Sequence, residues 1–284
     1  VLKEDNVHRR ALIDQVTAVA VPESTNPEDV STTVKAFMAA DLPHELIKLL
    51  EPIVLQPSAF SDNRSLKNLL MLTAIRTDKA KVTGYIERLS GYDVDEIAKI
   101  AIDHGLFEEA FQIYSKAGQN TDAMDVLVEH IVSIDRAQHF ANKLNLPEIW
   151  SRLGKAQLDG LRVKDAMDSY VRAEDPSNFE EVIEIAERAG REEELIRYLQ
   201  MARKLTREPK IDTEYAYCLA KAHRLSDMEE FLSMTNVADV LHVGEKCFND
   251  GLYEASRLLF SSVSNYARLA TTLVYLNDFP GAIE

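Results

Sequence analysis

Along most of this chain, small or apolar residues recur at a step of four and then three, the spacing that puts three side chains on one face of an α-helix. The copies are Leu46, Leu50 and Ile53; Val82, Ile86 and Leu89; Ala110, Tyr114 and Ala117; Ala137, Ala141 and Leu144; Ala166, Tyr170 and Ala173; Leu195, Leu199 and Ala202; and Ala255, Leu259 and Ser262. Turn signals stand near Asp41, Thr77, Gly105, Ile134, Gly160, Gly190, Leu225, Gly251 and Asn277, with a period that wanders around roughly 30 residues. Glycine at such a turn takes the left-handed conformation that stops one helix and reverses the chain, and alanine on the stripe lets two backbones come close. Pro43 and Pro147 sit where a first-turn proline is tolerated, and Asp175, Asp212 and Ser226 read as N-caps.

A lone helical hairpin, such as Ile100 to Gly118, cannot cover its own apolar stripe. Repeated hairpins can cover each other, so the predicted fold is all-α: an α-α superhelix, or α-solenoid, of stacked antiparallel helix hairpins. No stretch predicts a strand-rich domain. The loop-like "VAVPESTNPED", residues 19–29, reads as a long connection within the array. Helical sequence starts at once in "EDNVHRRALIDQV" and stops abruptly after "NDFPGAIE", so the chain is expected to be a segment of a longer repeat protein.

Composition narrows the function classes. The chain has 284 residues, 46% of them hydrophobic, enough for a large core, while a mean hydropathy of -0.20 is too polar for a bilayer. No apolar run approaches the roughly 18 residues needed to span a membrane, so no direct membrane insertion is expected. Only 10 Gly and 9 Pro suit helices rather than sandwiches or barrels. A net charge of -15 repels phosphate backbones and excludes nucleic acid as a partner. The most basic stretch, "RKLTREPK" at residues 203–210, is interrupted by Glu208 and reads as a solvated connection. Cys218 and Cys247 have no CxxC or CxxH companion and are read as buried free thiols of a reducing, cytoplasmic compartment.

Candidate chemistry is sparse. There is no phosphate loop, zincin helix, nucleophile elbow or dinucleotide fingerprint, so no catalytic, cofactor-binding or metal residue is assigned and no small-molecule substrate or cofactor is expected. The seven histidines, His8, His44, His104, His130, His139, His223 and His242, contain no i,i+4 pair and read as surface or turn residues. The acids of "REEELIRY" and "FEEVIEIAERAG" read as solvated helix faces opposite Leu195 and Leu199, or Val182 and Ile185. Trp150, three residues before Leu153, reads as core.

Two resemblances follow. Trp150, Leu153, Gly154, Ala166, Tyr170 and Ala173 resemble one tetratricopeptide copy; neighbouring units depart from that pattern. Over nearly the whole length the chain is more similar to the leg of the clathrin heavy-chain family. The similarity rests on "EDVSTTVKAFMAADLPHELIKLLEPIVL", "LKNLLMLTAIRTDKAKVTGYIERL", "IAKIAIDHGLFEEAF", "AMDVLVEHIVSIDRAQHFANKLNLPEIWSRLGKAQL", "KDAMDSYVRAEDPSNFEEVIEIAERAG", "ELIRYLQMARK" and "SNYARLATTLVYLNDFPGAIE", in that order.

That resemblance implies a structural role in the polyhedral coat of coated pits and vesicles, on their cytosolic face. It implies residues 1–52 as the end of one heavy-chain repeat in the distal leg, 53–195 as a complete repeat at the knee, and 196–284 as part of the next, at the start of the proximal leg. The implied partners are other heavy-chain legs and, from about Asp135 onward, a clathrin light chain, with no individual contact residues assigned. A tetratricopeptide-like adaptor that binds peptides is the alternative reading.

Overall fold

One backbone device closes most of the helices. A residue with positive φ follows the helix, and the next amide donates to the carbonyl five residues back: Leu42 N to Phe37 O, Leu106 N to Ala101 O, Arg162 N to Gln157 O, Arg191 N to Ala186 O and Leu252 N to Cys247 O. This is the Schellman geometry, which satisfies carbonyls that the helix end leaves free. Each of those donors is also the N-cap of the next helix. Two helices are therefore joined by only two or three residues, a connection short enough to force them antiparallel.

The computed structural model describes residues 7–16 and 25–283. Part of the expected connection at 19–29 lies outside the described residues. Among the described residues every regular element is helical, as the periodicity predicts, and the chain divides into two compact units, Val1–Ser133 and Ile134–Glu284.

The first unit holds α1 (Val7–Gln15), α2 (Pro27–Ala39), α3 (Pro43–Leu55), α4 (Arg64–Thr77), α5 (Lys79–Arg88), α6 (Val94–Asp103), α7 (Phe107–Lys116) and α8 (Asn120–Asp125), which runs into a π-helical turn at Val126–His130. Here α3 packs on α4 and α6 on α7, while α4 against α6 and α5 against α7 stack successive pairs. Leu49, Leu50, Leu70, Met71, Ile97 and Ile113 are fully buried in this stack. Lys116 reaches back from α7 to the carbonyl end of α5, donating to Ile86 O at 2.6 Å and Leu89 O at 2.9 Å. A cation there complements the negative end of the helix dipole.

The second unit holds α9 (Ile134–Leu144), α10 (Pro147–Asp159), α11 (Val163–Ala173), α12 (Phe179–Ala189), α13 (Glu192–Leu205), α14 (Pro209–Lys221), α15 (Leu225–Ser233), α16 (Val240–Asn249), α17 (Tyr253–Ser262), α18 (Tyr266–Tyr275) and α19 (Phe279–Ile283). α10 pairs with α11, α13 with α14 and α16 with α17; contacts of α11 with α13 and α14 with α16 join one pair to the next. Their shared core runs without a break from Leu158 to Leu259.

Two of these pairs repeat one close approach. A Cβ on Gly154 of α10 would lie 3.2 Å from the Tyr170 ring of α11, and one on Gly244 of α16 would lie 2.8 Å from Phe260 of α17. In each pair a buried serine closes the polar gap: Ser169 donates to Gln157 Oε1 at 2.6 Å, and Ser256 to the Gly244 carbonyl at 2.8 Å.

Several local expectations are corrected. Ala117 and Ser262 are exposed and Leu144 is half-buried, because the third step of each stripe falls where its helix ends and no neighbour covers it. Gly160 has φ -81°, and the left-handed residue is the exposed Leu161. The turns placed at Ile134 and Leu225 have their positive φ at Val132 and His223, while the turn near Thr77 has none, Asp78 having φ -142°. Asp212 and Ser226 lie inside α14 and α15, which begin earlier, at Pro209 and Leu225. Asp175 caps no helix; it accepts from Ser177 N at 2.9 Å and from the Ser151 hydroxyl. Side-chain caps occur instead at Asn26, Asn63, Asp93, Asp239 and Asn265.

The glycine contacts make a sign prediction. In an ordinary helix interior Gly→Ala stabilises by about 1 kcal/mol, whereas overpacking a closed core costs about 1–3 kcal/mol. Phe260 is fully buried, so Gly244→Ala should lower the thermal midpoint, and should do so more than Gly154→Ala. A calorimetric scan that finds Gly244→Ala more stable than the parent would refute the close approach.

Candidate functional site

The residues with chemical potential are placed apart from one another. Among the described residues no group of His, Cys, Asp and Glu could hold a metal ion, and no helix is long and apolar enough to cross a membrane. His44, His130, His139, His223 and His242 are exposed, with His130 stacked on Phe107 at 5.3 Å. His104 ends α6, its Nδ1 2.9 Å from Ile100 O. The His8 side chain lies outside the described residues. Cys218 and Cys247 are buried and unbonded, as their setting in apolar helix pattern predicts, and burial pushes the Cys247 thiol up to about 12. Such thiols are inert at neutral pH.

Trp150 is core, 2% exposed. Its Nε1 donates to Asn145 Oδ1 at 3.0 Å and the Arg172 guanidinium lies 4.6 Å above its ring.

The acidic stretches are not simply solvated. Glu192 of α13 pairs with Lys221 of α14 at 2.6 Å, and Glu193 with Arg224 at 3.4 Å. Lys221 holds the Glu192 carboxyl below the usual range. Glu181 of α12 takes Lys155 of α10 at 2.8 Å, and Glu180 takes Lys210 at 3.1 Å. The acids expected to face only water tie one helix to another, a relation between distant positions that helical periodicity does not carry. Of the two isoleucines, Ile183 is buried and Ile185 only half-buried.

The basic stretch is the other departure. It forms one wall of a cleft of about 360 Å³ lined by Arg203, Lys204, Arg207, Asp212, Thr235 and Asn236 among others. Arg203, at the end of α13, is the pivot. Its Nε donates to Asp212 Oδ1 at 3.0 Å, and its guanidinium sits 4.6 Å over Phe231 and 5.1 Å over Tyr215. Asp212 is 6% exposed, and its second oxygen accepts from Val237 N at 2.9 Å. One buried carboxylate thus joins the end of α13, the body of α14 and the strand-free connection before α16. Lys204 and Arg207 are exposed beside the cleft and make no ion pair among the described residues, and Lys204 also lines an adjoining cleft of about 270 Å³. On a chain of net charge -15, these cations stand at clefts whose walls also carry Asp212, Asp227 and Glu230.

Comparison with known proteins bears on the whole chain. A family model described as "Clathrin: Region in Clathrin and VPS" matches residues 21–165 and 170–284. The chain is 57% identical over 281 residues to the probable clathrin heavy chain of Schizosaccharomyces pombe, covering 99% of this chain and 17% of that protein. It is 51% identical over 284 residues to the clathrin heavy chain of Drosophila melanogaster and 49% identical over the same length to clathrin heavy chain 1 of Arabidopsis thaliana, again 100% of this chain and 17% of each relative. The chain therefore spans about a sixth of the length of the curated relatives it matches.

The Arg203 pivot can be tested by truncation. Arg203→Ala leaves the buried Asp212 carboxylate without its cation, which should cost about 3 kcal/mol and lower the denaturant midpoint at unchanged slope. A midpoint within error of the parent's would show that Asp212 does not depend on Arg203.

Proposed function

This chain belongs to the clathrin family, the repeat region of clathrin and VPS proteins, and on that premise we propose that it is a stretch of a clathrin heavy-chain leg, structural rather than catalytic. The observation that carries the reading is identity of 57% running through 99% of the chain, on hairpins whose polar side chains tie helix to helix and, among the described residues, gather in no metal-binding group. In this role the protein is part of the polyhedral coat on the cytosolic face of coated pits and vesicles, serving endocytosis and intracellular protein transport. Each hairpin contacts its neighbours in the stack, so small rotations at many interfaces add up without breaking one core. Legs side by side contribute many weak contacts, which together hold firmly and still come apart.

Other heavy-chain legs are the principal partners. A light chain lies along the residues from about Asp135 onward, and the cleft beside Lys204 and Arg207 supports that placement, because an acidic stretch of a light chain would meet unpaired cations there.

The leg reading is tested by exchange. Replacing the matching 281 residues of the fission-yeast heavy chain with this chain should leave coat assembly intact; a chimera that accumulates normally yet forms no coats overturns it. The light-chain placement is tested separately: Lys204→Glu with Arg207→Glu should weaken light-chain binding about tenfold or more, by roughly 1.4 kcal/mol. Unchanged binding in a titration removes the cleft from the light-chain path.

A further inference from the structure

The cleft of about 360 Å³ at Arg203 has two walls that the fold holds in place. One is the run 203–207 at the end of α13, where Arg203 is clamped by Asp212 Oδ1 at 3.0 Å and by the Phe231 and Tyr215 rings. The other is the connection at 234–239, pinned at three points. Asp212 accepts from Val237 N at 2.9 Å, the Asn236 amide donates to Met234 O at 3.0 Å, and Thr213 Oγ1 accepts from Asp239 N at 2.9 Å. Thr206 brings a hydroxyl to the first wall and Thr235 to the second.

The acids around this cleft leave its positive charge standing. The carboxylate on its walls is Asp212, and both of its oxygens are taken, by Arg203 and by the Val237 amide. Asp227 and Glu230 line the adjoining cleft instead, and Asp227 is bound by Arg224 at 2.5 Å. Glu208, next to Arg207 in sequence, is not on the walls. Three cations, Arg203, Lys204 and Arg207, against Asp212 leave two positive charges in excess, on a chain of net charge -15.

Size and donor chemistry select among anions. The volume falls within the range of small-molecule sites and is more than a lone carboxylate or halide fills. A phosphate group presents oxygens in several directions, so it can meet cations and hydroxyls from two walls at once. We propose that this cleft binds a compact polyanion carrying two phosphates, with Lys204 and Arg207 meeting its charge and the Thr206 and Thr235 hydroxyls donating to its oxygens. The ligand ties together the two connections that Asp212 already joins. It also occupies the cations that an acidic partner segment would use, yet its own binding needs no partner.

Pyrophosphate titrated into this chain at low salt tests the site, followed by calorimetry and by backbone amide shifts in NMR. Saturable binding is expected, with a dissociation constant on the order of 0.1 mM, weakened by added salt, and with the largest shifts at 204–207 and 235–237. Lys204→Gln and Arg207→Gln should each weaken it about tenfold, the loss of one charge-assisted hydrogen bond. Lys210→Gln, whose lysine is paired with Glu180 at 3.1 Å, should leave it unchanged, and a short polyglutamate peptide should bind more weakly than pyrophosphate. No saturable binding, binding that survives both glutamine substitutions together, or polyglutamate binding as tightly as pyrophosphate would each overturn the phosphate site. None of these measurements reads coat assembly or light-chain binding, so the site can fail while the leg reading stands.

Discussion

A helical hairpin in this chain carries more apolar surface than its own two helices can cover. The stripes Leu46–Leu50–Ile53, Ala166–Tyr170–Ala173 and Leu195–Leu199–Ala202 are buried along their whole length, and contacts such as those of α11 with α13 make the next pair part of the cover. Within each unit one hairpin therefore completes the next, and the core of the second unit is one continuous body from Leu158 to Leu259. This is why polar residues at the steps matter. Glu181, Glu192 and Glu245 each find a cation on another helix, and on partly exposed side chains these pairs set register more than they add stability.

The same demand shapes the seam inside each pair. Close approach of α10 to α11 and of α16 to α17 is possible because Gly154 and Gly244 leave room for Tyr170 and Phe260. Large rings then fill what small residues vacate, as interiors packed to crystal-like density require. Where polar atoms enter the seam they are matched, Ser169 by Gln157 and Ser256 by the Gly244 carbonyl.

Much of the fold was legible because its periodicity is strictly local. The four-three stripes, the first-turn prolines at Pro43 and Pro147, the turns at Asp41, Gly105, Gly190, Gly251 and Asn277, and the core position of Trp150 all follow from residues within one helix turn of each other. What was illegible depends on partners far along the chain. Asp212 looks like a cap, yet Arg203 and Val237 make it a buried joint. Left-handed Leu161, His223 and Ser264 stand where glycine would be sought, because a following amide that bonds five residues back can enforce the conformation on an ordinary residue. The Gly244 and Phe260 pair was readable in principle, since it repeats the 16-residue separation of Gly154 and Tyr170. The basic wall of the cleft was not, because its charge is defined by which cations the fold leaves unpaired.

The short turn has a consequence for how such a chain can vary over evolutionary time. Inserting one residue into the link at 40–42, 160–162 or 250–252 would rotate the following helix by about 100° around its own axis and swing its stripe out of the core. Length changes are thereby steered to the longer links at 56–63 and 234–239, or to gain and loss of entire hairpins, which leaves a ruler whose marks can be added or removed but not respaced.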